Sequence, residues 1–196
     1  IVVPGPGGIK IIPASSGMQE LTHLSLNQHL ALMEALRGLY EQIDFLIIDT
    51  GAGISRNVTY FNVLADDIII LATSEPTSIT DAYAMMKVLS IKYRERSFKI
   101  LVNAVHSADE ALDVYRNLST VAWNFLNLSV DYLGYVLHDD NLTRAVKKQK
   151  IVMELYPRSH ASLCFDNLAK TIDGTLNPKY VIDRNRGHSN QKISIE

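Results

Sequence analysis

The feature that most constrains this chain is a set of strand-sized apolar runs that do not alternate with polar residues. Phe-Leu-Ile-Ile spans 45–48 and Ile-Ile-Ile-Leu-Ala spans 68–72, with further runs over 99–105 and 130–137. A strand with one face in water alternates polar and apolar residues, whereas a continuous apolar run implies burial on both faces. Between these runs lie helix-sized segments with apolar residues every three or four positions, as in Leu26, Leu30, Met33, Leu36, Tyr40 and Ile43. Strands alternating with helices predict an α/β fold, a mostly parallel sheet with helices on both faces and right-handed crossovers.

In chain order the pattern predicts a short strand over 9–13, a helix over 25–43 and a strand over 45–50. A helix over 56–64 and a strand over 67–73 follow. The next helix covers 79–94, capped near its start by Thr80 or Asp81, and leads to a strand over 99–105. The remaining elements are a helix over 109–126, a strand over 130–137, and helices over 141–148 and 160–172. The expected domain is therefore 1–174. Residues 175–196 form a polar tail whose aliphatic residues after Tyr180 are too few for a membrane-binding face. In parallel sheets ligands bind beyond the carboxyl ends of the strands, which directs attention to 50–54, 74–78, 103–106 and 137–140.

The 196 residues suffice for one α/β core, and a net charge of −2 gives no global attraction to nucleic acid or anionic lipid. No apolar run approaches the roughly 20 residues that span a bilayer. The single cysteine, Cys164, rules out an internal disulfide and, set among helix-patterned residues, reads as a small core residue in a reducing cytosol. Lys147, Lys148 and Lys150 read as a solvated face.

The sharpest chemical motif is Phe-Leu-Ile-Ile-Asp-Thr-Gly-Ala-Gly-Ile over 45–54. An acid at a strand tip, Asp49, is held rigidly and can order the water shell of a metal ion. Gly51 and Gly53 allow the backbone to approach a phosphate. An ordinary Asp-Gly turn after a strand would read the same way. Asn103, near the end of its run, carries both a donor and an acceptor and so suits a purine edge, although a structural Asn fits there equally.

Ile-Asp-Thr-Gly-Ala-Gly-Ile resembles the Walker B and switch II segment of the MinD/ParA family of P-loop ATPases. Ile-Lys-Ile-Ile-Pro-Ala-Ser-Ser-Gly-Met-Gln-Glu over 9–20 is similar to the family's strand reaching a Pro-Ala-Ser loop. Glu-Pro-Thr-Ser-Ile-Thr-Asp-Ala-Tyr-Ala-Met-Met-Lys over 75–87 resembles the strand-to-helix turn of its flagellar-number branch, FlhG/FleN. Tyr-Val-Leu-His-Asp-Asp-Asn-Leu-Thr-Arg-Ala over 135–145 is similar to the adenine-side loop, with Leu137 where a proline is usual. The resemblance runs from about Gly5 to Ile172.

It implies that Asp49 orients Mg²⁺ through water and that Gly51 and Gly53 sense the γ-phosphate. Asn103 would contact adenine, and Asp139 or Asp140 would approach the base or ribose. It further implies an ATP-dependent homodimer in the cytoplasm, controlling flagellar number or placement, with a signal-recognition-type GTPase or a transcriptional activator as partner. Direct contact with nucleic acid or membrane is not expected.

The family's phosphate grip, a Gly-x-x-x-x-Gly-Lys-Ser/Thr loop, does not occur in this sequence. Gly5-Pro-Gly-Gly8-Ile-Lys10 has the wrong spacing, precedes a strand, and loses an amide donor at Pro6. The expectation is that the first strand, phosphate loop, helix and switch I aspartate lie upstream, so that this chain alone does not hydrolyse ATP. The alternative is a non-catalytic interaction module on a degenerate scaffold of the same kind.

Overall fold

The computed structural model describes residues 2–13, 34 and 43–174. The expected helix over 25–43, most of the Pro-Ala-Ser segment and the tail after Gly174 lie outside them. The chain divides into two compact units, Ile1–Ala65 and Asp66–Glu196.

In the smaller unit, β1 (Val3–Pro4) pairs antiparallel with β2 (Lys10–Ile11) around a 3₁₀ turn at Pro6–Gly8. Gly7 and Gly8 have φ of 64° and 82°, a conformation that side chains with a Cβ resist. The glycine-rich stretch is thus a hairpin tip. Helix α1 (Arg56–Leu64) starts where expected, because the Ser55 hydroxyl accepts a hydrogen bond from the Val58 amide at 3.4 Å.

The expected strand over 45–50 is not paired. Among the described residues, β1 and β2 form the sole ladder of this unit. Phe45, Leu46, Ile47 and Ile48 remain 56%, 41%, 85% and 36% exposed. An apolar run becomes a strand only where a neighbour supplies amide and carbonyl partners.

The larger unit holds a parallel sheet in the order β3 (Ile69–Ala72), β4 (Lys99–Val105), β5 (Asp131–Leu137). Helix α2 (Pro76–Tyr93) joins β3 to β4, and α3 (Ala108–Leu126) joins β4 to β5. The helices α4 (Asp140–Lys147), α5 (Val152–Leu155) and α6 (His160–Ile172) follow. Met86 and Leu89 of α2 and Leu118 and Ala122 of α3 are wholly buried, each large side chain contributing about 2 kcal/mol of transfer free energy. Helices α2 and α3 pack on each other and on β3 and β4.

Register shows that helices cover both faces. Leu101 pairs with Gly134, and a Cβ on Gly134 would meet Leu168 of α6, so α6 covers that face. The neighbouring Ile100 and Val102 point the opposite way, into the α2–α3 layer, and are fully buried. Coverage is incomplete at β3, an edge of the described sheet. Ile70 and Ala72 are buried there, but Ile69 and Leu71 are 42% and 57% exposed, contrary to the two-sided burial expected from the unbroken apolar run.

Helix α2 begins three residues earlier than the periodicity predicts. Pro76 occupies the first helical position, where its fixed φ is pre-set and no amide is wasted. Thr80 and Asp81 are therefore interior residues rather than caps. The Thr80 hydroxyl donates to the Pro76 carbonyl at 2.9 Å.

Candidate functional site

Three of the six residues selected by sequence fall in the smaller unit. Asp49, Gly51 and Gly53 are all exposed in the segment leading to Ser55 and α1. Gly53 has φ +86°, with open space where a Cβ would stand. Gly51 also borders open space, but its φ lies outside the left-handed region. Gly53→Ala is therefore expected to cost about 1 kcal/mol through backbone strain alone, and Gly51→Ala less than about 0.5 kcal/mol. Urea denaturation followed by circular dichroism compares the two, and equal losses would contradict this loop geometry.

The other three lie at the carboxyl end of the sheet in the larger unit. Asn103 is half-buried near the end of β4. After it the β4–β5 register shifts between Val102 and Val105, and Ala104 takes φ +57°. A bulge of this kind re-aims side chains at a strand end. The His138 amide donates to the Val105 carbonyl at 2.8 Å and ties the ends of β4 and β5 together.

Asp139 is occupied structurally. One carboxylate oxygen accepts from the Asn141 amide at 2.8 Å, capping α4. The other accepts from the Ala161 amide at 3.0 Å, in the first turn of α6. Partial burial pushes its pKa up, but the two amides, with help from Ser159 and His160, outweigh this and hold it below the usual aspartate range. Asp140, in the first turn of α4, is exposed.

The structure adds residues that the sequence reading did not single out. The His106 and His138 rings stand 5.3 Å apart at the tips of β4 and β5. The Glu110 carboxylate accepts from the His106 amide at 2.7 Å. That bond, followed by one from the Ser74 hydroxyl, holds the Glu110 carboxyl below its ordinary pKa. The Thr73 amide donates to the Ser78 hydroxyl at 2.9 Å and closes the turn into α2. The signal available in the sequence was position, since both histidines fall in the windows just past a strand. Among the described residues no three His, Cys, Asp or Glu side chains cluster as a metal site would require.

No family model matches the chain. It is 39% identical over 173 residues to the antiactivator FleN of Pseudomonas aeruginosa, an alignment covering 88% of this chain and 62% of FleN. It is 32% identical over 163 residues to the flagellum site-determining protein YlxH of Helicobacter pylori, covering 83% of this chain and 55% of that protein. The septum site-determining protein MinD of Bacillus subtilis is 28% identical over 155 residues, covering 76% and 54%. The chain belongs to the MinD/ParA family, on its FleN/FlhG branch. This MinD/ParA chain matches between 54% and 62% of the length of those three relatives. Its parallel sheet with helices accords with the family's α/β fold. Among the described residues no helix is long and apolar enough to cross a membrane.

Proposed function

We propose that this chain is part of an ATP-dependent regulatory switch that controls the number or placement of flagella. The observation that carries the reading is the 39% identity to an antiactivator over 88% of the chain, joined by the likeness to a flagellum site-determining protein. In this reading nucleotide closes a homodimer and hydrolysis releases it. The partner is a transcriptional activator, the kind of protein an antiactivator opposes, or a signal-recognition-type GTPase.

The residues fit a nucleotide with Mg²⁺. A magnesium ion needs only one or two protein carboxylates when phosphates and water complete its shell, and Asp49 is an exposed carboxylate followed by a glycine-bearing loop. Bound Mg²⁺ would neutralise phosphate charge. Asp49 would orient its water shell, while Gly51 and Gly53 let the loop follow the phosphates. Asn103 would read the purine edge. Asp140, rather than Asp139, would meet the base or ribose, because both oxygens of Asp139 already accept backbone amides.

The test is Asp49→Ala in the natural protein that carries this chain. ATP turnover should be abolished with the circular dichroism spectrum unchanged, and cells carrying the variant should show altered flagellar number. Unchanged turnover would remove Asp49 from the site. If the unaltered protein neither binds nor hydrolyses ATP, a non-catalytic interaction module takes its place.

A further inference from the structure

At the end of the larger unit opposite Asn103, where α2 and α3 run out before β4 and β5 begin, lies an open groove of about 520 Å³. Ser90, Ile91, Arg94, Arg96, Phe125 and Leu126 line it. Its lining is mixed, with Ser90, Arg94 and Arg96 beside three apolar residues, two of which are bare, Ile91 being 67% and Phe125 72% exposed. Both arginines are exposed, and neither forms an ion pair among the described residues, whose salt bridges are Lys99–Asp67, Arg116–Asp113 and Lys170–Asp166. The segment 87–96 carries Lys87, Lys92, Arg94 and Arg96 against Glu95 alone, in a chain whose net charge is −2.

Arg94 holds its place against a backbone preference. It ends α2 in the left-handed region, at φ 65°, with its amide bonded to the Ser90 carbonyl. Glycine or asparagine usually fills that position, and the equivalent place after α3 is Asn127, at φ 52°. Lysine or arginine near a helix C-terminus offsets the macrodipole, but that does not require the strained residue itself to be the cation. Nor does it account for Arg96, which lies beyond the helix, or for the uncovered Phe125.

We propose that this groove docks an acidic, apolar peptide segment of a partner protein. An aliphatic or aromatic side chain enters between Ile91, Phe125 and Leu126. Flanking carboxylates take the Arg94 and Arg96 guanidiniums, whose planar forks match carboxylate geometry. The concave strip of Ile91, Phe125 and Leu126 suits a single apolar side chain, which a nucleic-acid backbone does not offer, better than it suits a flat bilayer. The groove lies at the opposite end of the strands from Asn103 and Asp140, so a partner seated there leaves those residues uncovered. The proposal does not rest on the switch reading.

The test uses the 196-residue chain and a short fluorescein-labelled peptide alternating glutamate with leucine and phenylalanine. Saturable anisotropy is expected, with a shift in emission of Trp123, the sole tryptophan, one turn from Leu126 and 61% exposed. Arg94→Glu combined with Arg96→Glu should weaken binding about tenfold or more. Arg94→Gly should raise the urea midpoint while weakening binding, a split that a purely structural arginine would not produce. The proposal is overturned if the unaltered chain fails to bind the peptide, or if both sets of variants bind it undiminished. It is equally overturned if oligothymidylate or phosphatidylglycerol vesicles bind this surface and the peptide does not.

Discussion

Gly134→Ala is expected to destabilise the larger unit by about 3 kcal/mol. Two effects combine at this position. Gly134 has φ +145°, a conformation that side chains with a Cβ rarely adopt. The new methyl would also stand 2.9 Å from Cδ2 of Leu168, which is buried between α6 and the sheet. The Leu168 side chain would have to turn away, and the space beside it, bounded by Leu133, Tyr135 and Cys164, is only about 20 Å³. Urea unfolding should show a lower midpoint with an unchanged slope, as expected when native stability alone is altered. A loss below about 1 kcal/mol would mean that β5 relaxes to an ordinary strand conformation and that the glycine is dispensable.

Asp139→Ala should cost about 2–3 kcal/mol, because it removes acceptors from two helix starts at once, and each lost cap is worth about 1 kcal/mol. Asp139→Asn should cost less but not nothing. An amide offers one acceptor oxygen, so the Asn141 or the Ala161 amide would then face an NH₂ group. The effect depends on pH with a definite sign. The folded-state pKa of Asp139 is depressed, so its contribution is complete above the unfolded aspartate pKa of about 3.9 and disappears as pH falls through the lower folded value. Stability curves of the wild type and Asp139→Asn should therefore lie apart at neutral pH and converge only below about pH 4. A gap that persists unchanged in acid would show that the carboxylate charge is not what joins the two helices.

How much of this was legible in the sequence depended on whether the deciding contact was local. Strand β4 and helices α1 and α6 have the bounds the pattern predicts. Each is a clean run: two begin after a serine whose hydroxyl caps the helix, and the third is a central strand in which Ile100, Val102 and Val105 are fully buried. The start of α2 was missed because periodicity sees side chains, whereas Pro76 acts through its backbone angle. Helix α5 is a single turn, too short for any period to register.

The segment from Phe45 to Ile48 has strand composition, yet composition cannot say which neighbour will pair with it. The same holds for the site. Asp139 and Asp140 look alike in the sequence because the second acceptor bond of Asp139 runs to Ala161, 22 residues on. Nothing in the local pattern marks that partner.

Cys164 lies on the buried face of α6, 8% exposed, and burial raises its thiol pKa above the ordinary value. Only the thiolate reacts readily with alkylating agents, so the folded chain keeps its one sulfhydryl in an inert and shielded form. Modification has to wait until α6 lifts from β5. The rate at which iodoacetamide consumes the thiol is then a clock for that opening, set by the packing of Leu168 against Gly134.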